Sequence, residues 1–318
     1  MTFSTGGRVA AALLALGAGP ALACSSCGCT LTSDWIDQGL VGQPGFRVDL
    51  RYDYVPQTVL RTGSTDIDRG AIALPTDREV EISTYNNYAT LGLDYAPNTD
   101  WGFNAQIPLL RRPHTTIAEG EVGSSSSMTQ GLGDVRLSAR WQGFGGTGIT
   151  GVIAGLKLPT GATGDTFDSG SEAGAPLDRG LQAGSGTTDA LFGFYHFGNL
   201  SGRWDWFAQA SGQVALTSTR DYRPGNAATV SAGLHFTGWQ GITPQIQFNL
   251  RTAAKDSGAE ADRDNSGGTS LYFAPGAAVK LGSRAIGYLF MQLPLAQQVN
   301  GWQLVPNYTL SAGIQFRL

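Results

Sequence analysis

Cys24, Cys27 and Cys29 lie within one stretch, Cys24-Ser-Ser-Cys27-Gly-Cys29, and they are all the cysteines the chain has. Thiolates that close together suit a soft metal, copper or zinc. In an oxidising compartment they equally suit a disulfide with one thiol left over, or lipid attachment at Cys24 with the other two paired. Gly28 stands where a c-type haem attachment motif needs its histidine, which excludes that motif. The other candidates for chemistry are sparse. His114, His196 and His235 are the three histidines, and none accompanies a nucleophile motif such as Gly-x-Ser-x-Gly. The run Asp262-Arg-Asp264-Asn-Ser266-Gly267 begins like a calcium loop, but Phe273 occupies the position of the closing glutamate, so the run reads as a hydrophilic surface loop. The expectation is a protein without enzymatic activity.

The elements around these residues follow from composition. Only 14% of the residues are charged, against about 25% in an ordinary soluble domain, and 45 of the 318 are glycine. Mean hydropathy is −0.10, and after the first two dozen residues no apolar run reaches the roughly 18 residues of a membrane helix. A transmembrane β-barrel reconciles these facts, because only alternate residues of its strands meet lipid. The net charge of −4 predicts no nucleic-acid partner.

Residues 1–23 read as a signal peptide. Arg8 supplies the positive charge, Val9 to Pro20 the apolar stretch, and Ala21-Leu22-Ala23 the small-x-small cleavage site. Residues 24–44 then form a cysteine-rich segment, in the periplasm or folded into the lumen as a plug. Residues 45–318 form the barrel. The expected place is the bacterial outer membrane, with outer-membrane lipids and the barrel assembly machinery as partners and a small-molecule solute as cargo.

The end of the chain carries the clearest alternation. Tyr308, Leu310, Ala312, Ile314, Phe316 and Leu318 fall on one face of an extended strand, and Thr309, Ser311, Gly313, Gln315 and Arg317 on the other. Upstream segments repeat this pattern, which predicts an all-β, antiparallel up-and-down barrel of about twelve strands. The expected strands run near 46–54, 85–96, 101–112, 134–142, 149–158, 188–197, 203–216, 227–236, 242–253, 270–281, 285–294 and 305–318. Short turns alternate with long loops, as periplasmic turns and extracellular loops do in bacterial barrels. Tyr95, Trp101, Trp141, Trp204, Trp206 and Trp239 lie beside the short turns, where an interfacial aromatic girdle sits.

With the apolar faces given to lipid, the polar faces line the lumen. From the first strand come Arg47, Asp49, Arg51 and Asp53, and from the middle strands Asp134, Arg136, Arg140 and Lys157. Arg203, Asp205, His235 and Arg251 follow, with Lys280 and Arg317 near the end. Bases outnumber acids, so the interior is expected to be mildly positive. Two readings stay open: a path for an anionic or polar solute, or a ladder of Arg–Asp pairs that fills a small barrel.

Phe316 near a C-terminal Leu318 resembles the terminal signal of bacterial outer-membrane proteins, in which an aromatic residue usually comes last. The Ser-His-Asn arrangement of the twelve-stranded outer-membrane phospholipases is not found. Four segments, Trp101-Gly-Phe-Asn-Ala-Gln-Ile-Pro108, Gln130-Gly-Leu-Gly-Asp-Val-Arg136, Gly155-Leu-Lys-Leu-Pro-Thr-Gly161 and Leu181-Gln-Ala-Gly-Ser-Gly-Thr-Thr-Asp189, resemble a family of outer-membrane proteins. It is the "MetA-pathway of phenol degradation" family, and the resemblance covers roughly residues 80–318. The resemblance implies passive uptake of small solutes, whether aromatic, hydrophobic or anionic, and fixes no binding residues. The competing expectation is a barrel that chiefly anchors a metal-binding or redox segment at Cys24, Cys27 and Cys29.

Since no predicted strand includes the three cysteines, replacing all of them by serine is expected to leave barrel assembly intact and to abolish any copper or zinc carried by the purified protein. Metal analysis beside a heated and unheated gel checks both halves. Failure of the triple variant to assemble would make the segment an integral plug.

Overall fold

A computed structural model describes residues 44–145 and 148–318. Cys24, Cys27 and Cys29 and the signal peptide therefore lie outside the described residues. Among those described, fourteen strands and two single-turn 3-10 helices account for the regular structure. The strands are β1 (Gly45–Gly63), β2 (Thr65–Asp66), β3 (Val80–Ala96), β4 (Trp101–Ile117), β5 (Ser125–Leu132), β6 (Val135–Trp141) and β7 (Ile149–Leu158). Then come β8 (Asp189–Ser201), β9 (Trp204–Ala215), β10 (Ala227–Phe236), β11 (Ile242–Ala253), β12 (Gly268–Lys280), β13 (Ala285–Pro306) and β14 (Thr309–Arg317).

They build one closed antiparallel barrel of twelve staves. The count falls from fourteen because β2 is a two-residue addition to β1, and because β5 and β6 both pair with β4 and form a single stave interrupted at Gly133-Asp134. Closure is made by the two ends of the barrel sequence: β1 runs against β14 from Arg47 opposite Arg317 to Tyr54 opposite Leu310. Above that seam β1 pairs with the end of β13, from Gln57 opposite Pro306 to Gly63 opposite Val299. Every stave thus has a partner on both sides, as a sheet in hydrocarbon requires.

The burial pattern is the reverse of that of a soluble domain. Leu50, Phe103, Leu109, Phe192, Phe194, Val230, Phe248 and Leu289 stand on the outer surface, while Arg47, Asp53, Lys157, Gln209, Gln247 and Gln315 are buried inside. Alternation along each strand, one side chain outward and the next inward, produces this from the sequence directly. Tyr95, Trp101, Trp204 and Trp239 are exposed beside the short turns, and Trp204, Phe236 and Trp239 pack ring against ring there, with centroids 4.9 and 5.5 Å apart. This is the girdle expected at a membrane interface.

The twelve expected strands are present, and their ends differ in two instructive places. The stretch 113–130 reads as a long loop in the sequence, yet β4 continues to Ile117 and β5 begins at Ser125, with Pro113 opposite Met128. Its run of serines misleads because it faces inward: Ser125, Ser127 and Thr129 are all buried against the lumen contents. The last hairpin also differs. β13 climbs antiparallel to β12, turns at Gly301 where φ is 45°, and descends antiparallel to β1 before the break at Asn307 and Tyr308. Glycine fits that turn because a side chain is strained in this left-handed region.

Leu50 and Leu281 are 50% and 56% exposed, but Leu50 is mid-strand in β1 and Leu281 sits in a short turn. Leu50→Arg is expected to destabilise the folded barrel by about 2–4 kcal/mol and Leu281→Arg by about 1 kcal/mol or less, the depth dependence of a charge on a lipid-facing surface. Urea unfolding in lipid vesicles measures the difference, and equal effects would overturn the membrane placement.

Candidate functional site

The inward residues come together as a ladder of ion pairs and, above it, a cavity. Asp94 on β3 takes Arg47 Nη1 at 2.6 Å on one carboxylate oxygen and Arg140 from β6 on the other. Arg51 Nε lies 2.8 Å from Asp53 Oδ2, and Asp53 Oδ1 accepts the Ser311 hydroxyl at 2.5 Å. Asp49 accepts the Tyr288 hydroxyl at 2.9 and 3.0 Å. Lys157 Nζ lies 2.8 Å from Asp189 and 3.3 Å from Asp134. These groups are deep in the barrel, where a charge without a partner is costly, and the pairing offsets that cost.

Arg136 donates to Gln213 at 3.3 Å and Arg251 to Thr229 at 3.5 Å, both on the cavity wall. His235 is buried with its ring 5.1 Å from that of Phe207. Asp205 accepts from Asn199 at 2.8 Å near the short-turn end. Three of the residues expected in the lumen stand elsewhere. Arg203 is exposed in the turn between β8 and β9, and Lys280 and Arg317 are exposed at the ends of β12 and β14, on the rim. Alternation assigns a face correctly but carries no depth, so a residue at a strand end can have inward parity and still stand in water.

The lower half of the lumen is partly filled by apolar rings. Tyr195, Phe197, Phe207, Tyr288 and Phe290 point inward and form a buried cluster with Ala274. The space for them comes from glycines on neighbouring strands. A Cβ on Gly276 would stand 1.8 Å from Phe290 and one on Gly313 would stand 2.4 Å from Tyr288, so both rings lie directly over bare backbone. The expectation that apolar faces all meet lipid missed this cluster, because the same aromatic residue fits either side of a strand.

The upper half is closed by the chain between β7 and β8, residues 159–188, which folds inward as a strap. Arg112, buried on β4, holds it: Nη1 donates to the carbonyls of Gly180 at 3.0 Å and Gln182 at 3.2 Å, Nε to Asn86 at 2.6 Å, and Nη2 to the Tyr88 hydroxyl at 2.9 Å. Asp134, from the stave next to β4, holds it as well, accepting Gly161 N at 3.1 Å and Ser185 N at 2.9 Å. Gln182 ties the strap to itself through Asp165 and Leu177, and Leu177 and Leu181 are buried beneath it. Gly161 and Gly184 make the fold possible, since a Cβ on either would come within 2.6 Å of the other's backbone.

Against the strap lies a cavity of about 310 Å³. Arg51, Arg112, Arg136, Lys157, Arg179 and Arg251 reach it, against two carboxylates, Asp134 and Asp256. The mildly positive interior read from the sequence is found here, although Arg112 and Arg179 were not among the residues expected to form it. Arg112 was hidden by its place at an expected strand end, and Arg179 by its place in a long loop. On the strap's other side, Glu79, Glu81, Asp178 and Asp262 line a narrow acidic crevice.

No family model and no curated protein matches this chain. Solved structures do. An outer-membrane channel from Pseudomonas putida F1 is similar over 86% of this chain and 96% of its own, with 13% identity and a TM-score of 0.62. A toluene transporter from Ralstonia pickettii is similar over 87% of this chain and 90% of its own, with 10% identity and a TM-score of 0.46, too distant to bear on the site. The fold is that of bacterial outer-membrane barrels.

Glu79 precedes β3, and burial together with the nearby Asp178 carboxylate raises its pKa from the ordinary 4.5 to about 7. Asp262 and Glu172 add to the rise. A raised carboxyl favours the folded arrangement fully below its unfolded value and loses that contribution as the pH climbs through the folded one. The strap, which carries Asp178, is therefore expected to be best protected below about pH 4.5 and least above about pH 7. Amide exchange of residues 177–185 at pH 5 and pH 8, corrected for the intrinsic rate, measures this, and Glu79→Gln is expected to flatten the difference.

Proposed function

We propose that the chain is an outer-membrane channel for small solutes, in which the strap between β7 and β8 sets the narrowest point. The observation that carries this reading is the cavity of about 310 Å³ inside a closed barrel, lined by bases and amides and by residues of the strap. A barrel serving only as an anchor has no need of such a chamber, and its lumen can be filled by the ion-pair ladder alone. The fold-level likeness to the Pseudomonas putida channel supports the reading, as do the four segments that resemble the "MetA-pathway of phenol degradation" family. Uptake is expected to be passive, as the family resemblance implies.

The narrow lumen favours solutes of modest size. Polar bonds from Arg112 and Asp134 help to hold the strap, together with bonds such as Asp168 N to Ser126 O and Glu172 N to Ser125 Oγ, and its displacement widens the path. A hydrogen bond to a charged group is worth about 1.5–3 kcal/mol, so losing the two bonds from Arg112 weakens the docking of the strap.

Planar-bilayer recording of the full protein is expected to show small discrete conductance steps, and Arg112→Met to raise them about severalfold, the consequence of a freed strap. Liposome swelling with small solutes is expected to follow the same order. A protein that assembles yet gives neither conductance nor swelling would overturn the channel reading.

A further inference from the structure

Two of the cavity's cations stand outside the ion pairs found among the described residues. Arg112 is 3% exposed and Arg179 8%, and among the described residues no carboxylate approaches either within ion-pairing distance. Arg112 is surrounded by neutral acceptors. Arg179 makes one hydrogen bond, from Nη2 to the Ser185 carbonyl at 3.2 Å, and lies 5.0 Å over the Tyr222 ring, leaving its buried Nε without an acceptor. A guanidinium has five N–H donors, so most of this one's capacity is unused. The neighbouring cations differ: Arg51 is matched by Asp53, and Lys157 by Asp134 and Asp189.

The two carboxylates that line the cavity do not make up the deficit. Asp134 is engaged by Gly161, Ser185 and Lys157, and Asp256 by the Tyr222 hydroxyl and Gly225 N. Arg179 also borders the crevice of Glu79, Glu81, Asp178 and Asp262, yet none of these carboxylates lies within ion-pairing distance of it. Buried charge is stable when it is paired, so a cavity that presents two fixed guanidinium groups and little competing carboxylate is complete only with an anion in it.

Apolar groups complete the lining: Leu110, Ile153, Leu191 and the rings of Tyr88 and Tyr272. A volume of about 310 Å³ suits a molecule of roughly ten heavy atoms, at the small end of ligand pockets. We propose that the cavity is a binding site for a small carboxylate with an apolar or aromatic body, its carboxylate on Arg179 and its body against Tyr272 and Leu191. The proposal rests on the channel reading and names its solute class. Planar guanidinium suits carboxylate because two parallel N–H groups can meet its two oxygens.

Calorimetric titration of the full protein in detergent with benzoate, benzyl alcohol and acetate tests it. Benzoate is expected to bind at least about tenfold more tightly than either of the others, which lack its charge or its ring. Arg179→Gln is expected to lower benzoate affinity by about tenfold or more and leave benzyl alcohol unchanged. Benzyl alcohol binding as tightly as benzoate overturns the proposal without any variant, and so does an Arg179→Gln protein that assembles and binds benzoate undiminished. Arg179-dependent benzoate binding without benzoate entry into liposomes supports the site while overturning the channel. Entry without Arg179-dependent binding does the reverse.

Discussion

The structure depends on the seam between β1 and β14. Hydrocarbon offers no hydrogen-bond partner, so an open sheet edge would leave a row of backbone groups unsatisfied, each at a cost of several kcal/mol. Pairing Arg47 to Tyr54 against Leu310 to Arg317 removes that edge, and it joins residues more than 250 positions apart in the sequence. Everything else is conditional on this closure. The lumen exists only because the wall is continuous, and the outer apolar surface is favourable only because no backbone is left bare within it.

Closure at twelve staves also fixes how much room is inside. The interior is too narrow to be a wide aqueous pore and too wide to be filled by small side chains, and the chain fills it unevenly. The short-turn half takes Tyr195, Phe207 and Phe290 over glycines on adjacent strands. The long-loop half takes a strap of backbone, whose carbonyls and amides would be expensive to bury without partners. Arg112 and Asp134 supply those partners, one as donor to Gly180 and Gln182 and the other as acceptor from Gly161 and Ser185.

The charges inside obey the same accounting. Away from the cavity, as with Arg47 and Arg140, an aspartate meets each base. Where the wall opens into the cavity, the balance tips toward the bases, and the guanidinium groups of Arg112 and Arg179 are set by neutral partners. The ladder and the chamber are therefore different solutions to the burial of charge in one lumen. Ion pairs fill part of the lumen, and the cavity occupies another part of it.

The alternation of Leu310, Ala312, Ile314 and Phe316 with Ser311, Gly313, Gln315 and Arg317, repeated upstream, determined the class of fold, the number of staves and which face of each strand turns outward. These follow from local rules, since the period of two is a property of the strand itself. Only the tertiary structure decided how deep a residue sits, which is why Arg203, Lys280 and Arg317 stand at the rim or in a turn while Arg47 and Lys157 are buried. It also decided that inward serines at 125–127 belong to a strand, that aromatic rings cross to the inside over Gly276 and Gly313, and that Arg112 and Arg179 meet at one cavity. Those outcomes depend on which strands become neighbours and where a distant loop lands. A pattern with a reach of a few residues cannot encode them, because the packing energy that selects them exists only once the barrel has closed.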